Sequence, residues 1–147
     1  MRILLSTVSS DSHTWNLVFL QLLLEEWGHD VVNLGPCVPD RLLIETARQE
    51  RPDVIVISSV NGHGHLDGAR LVKAVRADRE ICHLPMLIGG KLGILGDDNI
   101  EHARGLRNAG FDEVFTEGSD PARLRDRLAA LALAGTDAGL LGAGGRR

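Results

Sequence analysis

The sequence predicts an α/β protein built on an open parallel sheet with helices on both faces. Two observations carry this. Short, almost uninterrupted apolar runs recur along the 147-residue chain, which is how strands covered on both faces read. Between them lie longer stretches with apolar residues at helical spacing. Such alternation implies right-handed crossovers that distribute helices over both faces of one sheet.

The first strand is expected over residues 2–8 (RILLSTV). Residues 16–27 then carry Leu17, Leu20, Leu23 and Leu24 at helical spacing, with Gly28 as the stop. A weaker strand follows over 30–34 (DVVNL). The next helix, 40–50 (DRLLIETARQE), begins at Asp40 as N-cap and ends before Pro52. Residues 53–60 (DVIVISSV) form the third strand. Residues 66–77 place Leu66, Ala69, Val72 and Val75 on one helical face with Leu71 beside them. A fourth strand spans 84–89 (LPMLIG), a helix 98–109 ends at Gly110, and a weaker strand spans 111–115 (FDEVF). The last helix, 119–133, takes Ser119 or Asp120 as cap and Pro121 in its first turn. Five β-α units over residues 1–134 make one flavodoxin-like (Rossmann-like) domain with strand order 2-1-3-4-5. Beyond Ala134 the stretch GTDAGLLGAGGRR is Gly-rich and without periodicity, and residues 135–147 read as a flexible tail.

Composition narrows the function. A net charge of −4 without a basic stripe argues against a nucleic-acid partner. Cys37 and Cys82 are far apart and form no C-x-x-C pair, so neither a zinc site nor a disulfide framework is indicated. No apolar run reaches membrane-spanning length, and MRILLSTV is too short and too strand-like for a signal peptide. A cytoplasmic protein with reduced cysteines is expected.

Ligands of open α/β sheets bind outside the carboxyl ends of the strands, where the strand order reverses. Three unusual stretches fall at such ends: S-S-D-S-H-T-W-N (9–16) after the first strand, S-S-V-N-G-H-G-H (58–65) after the third, and G-G-K-L-G-I-L-G (89–96) after the fourth. Taken singly, each has an ordinary reading. Asp11 and His13 could form a polar loop with an Asx-turn, Asn16 could be the N-cap of the first helix, and Gly89-Gly90 could be a turn. The third stretch lacks the Gly-Lys-Ser/Thr ending of a phosphate loop. His63 and His65 could join Asp11 and His13 around a divalent metal, although their spacing is no established metal signature. Trp15 and Trp27 read as packing residues, and His29, His83 and His102 as surface residues.

Together, D-x-H, then S-x-(apolar), then G-G, each at a strand end, resemble the cobalamin-binding domain of corrinoid enzymes, whose pattern is D-x-H-x-x-G, S-x-L and G-G. Over residues 2–131 the chain resembles in particular the small subunit of glutamate mutase (methylaspartate mutase), through VVNLG, SSVNGHGHLD and GFDEVFTEGSDP. No helical domain precedes the first strand, which favours the mutase class over corrinoid methyltransferases. The resemblance implies that His13 is the lower axial ligand of cobalt and that Asp11 holds its other ring nitrogen. It implies that Ser58 hydrogen-bonds the displaced benzimidazole, with Val60 in place of the leucine that packs on it. Gly89 and Gly90 would let the nucleotide tail lie against the backbone, and Phe115, Gly118 and Ser119 would lie near the base. Ser12, Thr14 and Asn16 of the first loop, and Gly62 and His63 of the second, are the remaining expected contacts, with His65 also over the corrin edge. Asn16 departs from the family's glycine and would either substitute for a positive-φ residue or obstruct the tail.

The implied function is that of the cobalamin-binding subunit of an adenosylcobalamin-dependent isomerase, a heteromer active only with a large barrel subunit. The alternative is a stand-alone corrinoid carrier or sensor. A receiver or nucleotide-binding domain fits less well, because a receiver's acidic cluster and lysine and a G-x-G-x-x-G after the first strand are missing.

Overall fold

The computed structural model describes residues 1–93 and 99–142. Its elements alternate along the chain: β1 (Arg2–Ser6), α1 (Trp15–Glu26), β2 (Asp30–Asn33), α2 (Asp40–Glu50), β3 (Val54–Ser59), α3 (Gly64–Arg76), β4 (Met86–Gly90), α4 (Asn99–Ala109), β5 (Glu113–Thr116) and α5 (Pro121–Gly142). The strands form one parallel sheet in the order β2-β1-β3-β4-β5, as expected. β3 is buried along its whole length, which explains why VIVISS shows no polar alternation.

Two apolar layers flank the sheet. One face carries Leu4, Ile55, Ile57 and Ile88 against Leu43 and Ala47 of α2, Leu71, Val72 and Val75 of α3, and Leu106 of α4. The other carries Ile3, Leu5, Val54, Val56 and Leu87 against Leu17 and Leu24 of α1 and Leu124 and Leu128 of α5. The split follows from the side-chain period of two along each strand. It puts α1 and α5 together on one face, with consequences for the site.

Several local expectations need correction. Pro39, in extended backbone, is the N-cap of α2. Asp40 is its first helical residue, and its carboxylate receives hydrogen bonds from Arg70 at 2.8 and 3.3 Å. Likewise Thr14, not Asn16, caps α1. In α3 the buried face is Gly64, Gly68, Leu71, Val72 and Val75, and Leu66 is exposed. Apolar periodicity missed the two glycines because they pack through their backbone: a Cβ at Gly68 would stand 2.8 Å from Ile88 Cδ1. Finally, α5 starts as expected, with Asp120 Oδ1 accepting the Ala122 amide at 2.9 Å, but it continues through residues 135–142, which composition assigned to a tail. The Ala/Leu-rich sequence sustains the helix past Gly135 and Gly139, whose cost is only about 1 kcal/mol each. Residues 143–147 lie outside the described residues.

Candidate functional site

β1 and β3 are neighbours whose following helices leave in opposite directions, so the order reverses between them. Asp11 spans this switch point. Its carboxylate is fully buried and accepts four hydrogen bonds: from the His13 amide (3.0 Å) and His13 Nδ1 (2.7 Å) at Oδ1, and from the Val60 amide (2.7 Å) and Ser59 hydroxyl (3.2 Å) at Oδ2. Burial alone would raise its pKa. The bonds from the His13 and Val60 amides, and then from the His13 ring and Ser59, outweigh this and hold it below the ordinary value of 3.8. The loop is fixed as well by its backbone, with the Asp11 amide donating to Val8 O and the Cys37 amide to Asp11 O.

An ionised carboxylate at Nδ1 sets the imidazole tautomer. In the neutral ring this places the proton on Nδ1 and leaves the lone pair on Nε2. The His13 side chain is 57% exposed, so this oriented nitrogen faces outward from the strand ends. The hydrogen bond expected between Asp11 and the His13 ring is therefore present. Ser12 and Thr14 are exposed and form no side-chain hydrogen bond among the described residues.

Beside this loop a cavity of about 420 Å³ opens between the sheet and the α1/α5 layer, within the range of small-molecule sites. Its floor is a register row: Ser58 of β3 is paired with Gly89 of β4, and Gly89 with Phe115 of β5. Gly89 leaves the middle of that row without a side chain, and a Cβ there would meet Phe115 Cβ at 3.2 Å. Gly90 has a different reason. Its φ is +115°, and a Cβ would lie 2.2 Å from Ser59 O, so it is required by the neighbouring strand whether or not a ligand lies above it. Val60, Gly118 and Ser119 also line the cavity, Gly118 at φ +82° and Ser119 with its hydroxyl donating to Thr116 O at 2.7 Å.

Asn16 lies in the first turn of α1 and at the cavity wall. Its φ is not positive, so the replaced family glycine is not needed for backbone conformation at this position. Instead Nδ2 donates to Ser58 Oγ at 2.8 Å, and the buried Oδ1 has no partner among the described residues. Asn16 therefore ties α1 to the residue expected to hold the ligand's base.

The second loop divides. Gly62 is buried at φ +84°, and His63 is exposed at the start of α3. His65 is turned away from His13: its Nδ1 donates to Leu92 O at 2.6 Å, and its ring stacks on His102 at 3.9 Å. No cluster of three metal-ligating side chains occurs among the described residues. Ile94, Leu95 and Gly96 of the third stretch lie outside those residues.

Sequence reasoning missed several contributors. Ser59 supports Asp11 although it points to the opposite sheet face from Ser58. Leu20 and Leu23, expected in the core, are half-buried because they roof the cavity. Lys91, Thr116 and Asp120 complete its rim. Trp15, expected to pack, is 84% exposed, and Phe19 beside it is largely exposed.

A carboxylate-oriented histidine at the switch point, next to a cavity under α1 and α5, places the chain among α/β domains that bind a small-molecule ligand at the carboxyl ends of their strands. Comparison with known proteins identifies the class: the family profile of the B12 binding domain matches residues 1–125, and the chain belongs to that family. Within it the chain is similar to the glutamate mutase sigma subunit of Fusobacterium nucleatum (29% identity, 80% of this chain and 86% of the relative) and to glutamate mutase sigma subunit 2 of Haloarcula marismortui (30% identity, 87% and 85%). In fold it matches a cobalamin-binding protein from Desulfitobacterium hafniense with a TM-score of 0.67 at 22% identity, over 86% of this chain and 57% of that one.

Proposed function

We propose that this chain is the cobalamin-binding small subunit of an adenosylcobalamin-dependent carbon-skeleton mutase that interconverts L-glutamate and 3-methylaspartate. It acts in the cytoplasm as half of a heteromeric isomerase. The observation that carries the reading is the pair Asp11–His13: a buried, four-fold hydrogen-bonded carboxylate 2.7 Å from Nδ1 of a half-exposed imidazole. His13 Nε2 would hold the cobalt. The cavity floored by Ser58, Gly89 and Phe115 would take the nucleotide tail, and the Ser58 hydroxyl would hold its base. Relatives named glutamate mutase sigma subunit support the assignment of the substrate class.

When bound, adenosylcobalamin supplies a weak cobalt–carbon bond as a source of radical chemistry. The chain's own residues orient and tune it. Asp11 keeps Nδ1 protonated and raises the donor strength of Nε2. The buried Ser59 and Val60 contacts stop the carboxylate from relaxing away. The lining of the cavity carries no set of cationic side chains suited to an amino-acid dicarboxylate, with Lys91 its one basic residue among the described residues. In this reading substrate is held by a separate large barrel subunit, which the relatives named sigma subunit of a mutase support, and the isolated chain is inactive.

The test is a titration of the purified chain with cobalamin, followed by the visible spectrum of the base-displaced, histidine-ligated form, beside His13→Ala. The wild type is expected to acquire that spectrum and the variant to lose it. Identical behaviour of the two would remove the mechanism. Turnover by the isolated chain would refute the subunit assignment. A second reading, a corrinoid carrier without radical catalysis, draws on the Asn16–Ser58 bond, which ties two of the cavity's lining residues to each other. Restoration of mutase activity by a large barrel subunit separates the two.

A further inference from the structure

On the α2/α3 side of the sheet, away from the cavity, a continuous chain of hydrogen bonds runs from α2 to the loop of Asp11 and His13. Arg70 of α3 donates to both Asp40 oxygens at 2.8 and 3.3 Å, to Asp67 Oδ1 at 2.9 Å and to Ser9 Oγ at 2.8 Å. The Ser10 hydroxyl donates to Asp67 Oδ2. Asn61 donates from Nδ2 to Ser10 Oγ at 3.0 Å and accepts the His63 amide on Oδ1, also at 3.0 Å. The Ser59 hydroxyl lies 3.3 Å from that same Oδ1 and 3.2 Å from Asp11 Oδ2.

The donor directions along this chain are fixed. A backbone amide can only donate, so the oxygen of Asn61 faces His63 and its NH₂ faces Ser10. Ser10 Oγ therefore accepts from Asn61, and its single hydrogen goes to Asp67. Asp67 accepts from Ser10 and Arg70 at once, as an ionised carboxylate does. Reversing any one of these bonds would set two donors or two acceptors face to face. The placement matters as much as the order. Asp11 belongs to the segment after β1, whereas its donors Ser59 and Val60 belong to the end of β3 and the residue after it. Ser10 precedes Asp11 and Asn61 follows Val60, so the Ser10–Asn61 bond sets the spacing between the carboxylate and those donors. Asp67 and Arg70 anchor that bond to α3. Ion pairs of half-exposed groups such as Arg70 add only about 0–1 kcal/mol to stability, so what this network supplies is geometry.

We infer that Ser10, Asn61, Asp67 and Arg70 form a latch that holds the Asp11–His13 pair in its ligating position. Asp67 and Arg70 are then positioning residues, acting on the imidazole through Ser10, Asn61 and Asp11. The inference rests on the reading that His13 ligates cobalt. It adds to that reading a support on the opposite face of the sheet from the cavity, built by side chains of α3 and of the two loops that meet at the switch point.

The experiment labels the histidines of the full chain with nitrogen-15, saturates it with cobalamin in the cobalt(II) state and records the electron paramagnetic resonance spectrum. An axial nitrogen-15 from histidine and an axial nitrogen-14 from benzimidazole split the cobalt signal differently. At saturation a loss of overall affinity drops out, so the ratio of histidine-ligated to benzimidazole-ligated cobalt reports the position of the imidazole and not the stability of the fold. Ser10→Ala and Asp67→Asn are each expected to lower that ratio about tenfold, as when the support of a metal-ligating histidine is loosened. Ser10→Thr, which keeps the hydroxyl, is expected to hold it at the wild-type value. An unchanged ratio in Ser10→Ala and Asp67→Asn overturns the latch and leaves His13 as the ligand. A ratio lowered as much by Ser10→Thr as by Ser10→Ala also overturns the latch, since the hydroxyl would then not be the agent. A wild-type chain that shows no nitrogen-15 splitting overturns the proposed function together with the latch.

Discussion

Nδ1 of His13 and Oδ1 of Asp11 are 2.7 Å apart, and the carboxylate of that pair is buried while the imidazole is half exposed. The asymmetry explains why two residues in one short loop do different work. Asp11 belongs to the fold: it joins the loop after β1 to the end of β3 through Ser59 and Val60. His13 is half exposed and, in the proposed function, serves the ligand; what the fold gives it is an orientation.

Replacing His13 should therefore spare the fold. In His13→Ala, Asp11 Oδ1 still accepts the amide of residue 13, so stability is expected to change by less than about 1 kcal/mol. Thermal unfolding would check this, while the histidine-ligated cobalamin spectrum disappears. A large loss of stability would mean that the ring is structural.

Replacing Asp11 should do the reverse and more. An asparagine offers one acceptor atom to donors that now occupy two, and its NH₂ would face either the Val60 or the His13 amide. The expected destabilisation of Asp11→Asn is about 2–4 kcal/mol, measured by urea unfolding. Binding of cobalamin should weaken about 10–100-fold, as for other residues that orient a metal-ligating histidine.

The same carboxylate sets an acid dependence. Its pKa in the folded chain lies below 3.8, its ordinary value, so the unfolded chain binds the proton more readily. Its contribution to stability is complete above pH 3.8 and is lost as pH falls through the lower folded value. Urea midpoints measured from pH 6 downward should fall in that window, and the Asp11→Asn variant should show a shallower decline. Equal slopes would assign the acid sensitivity to other carboxylates.

Much of this site could be read before any coordinates because its parts sit where α/β topology concentrates them. β1, β3 and β4 announce themselves by unbroken apolar runs, and the stretches that follow them are then forced to one edge of the sheet. What stayed hidden depends on three-dimensional detail. Helix α1 is apolar on nearly every side, so its sequence cannot tell that Leu17 and Leu24 are buried, that Leu20 and Leu23 roof a cavity, and that Trp15 and Phe19 face outward. Ser59 escaped because strand alternation separates it from Ser58, whereas the chain beyond β3 brings Asp11 to it. The glycine pair was legible, but its reasons were only half so: Gly89 clears the cavity floor, while Gly90 answers to its own strand neighbour.

That difference between the two glycines is measurable. Gly90→Ala puts a Cβ 2.2 Å from Ser59 O at a φ of +115°; backbone must move, and a loss of about 2–4 kcal/mol is expected in urea unfolding. Gly89→Ala meets Phe115 at 3.2 Å, which a small ring shift relieves. It should cost less than about 1.5 kcal/mol yet weaken cobalamin binding strongly. Similar stability losses in both would show that the cavity floor has no room for that ring shift.

Asn16→Gly tests whether the amide closes the cavity to a benzimidazole tail. Two stability terms oppose each other. Removing the orphaned Oδ1 relieves a penalty of about 1–3 kcal/mol, whereas losing the bond to Ser58 and placing glycine in the first turn of α1 costs about 1 kcal/mol each. They nearly cancel, so thermal stability is expected to stay within about 1 kcal/mol of wild type. Binding has no such cancellation. In the proposed function Ser58 is then released toward the base, and the space of one amide is returned to the cavity, so cobalamin should bind more tightly. An unchanged dissociation constant would show that Asn16 is no obstacle to the benzimidazole tail.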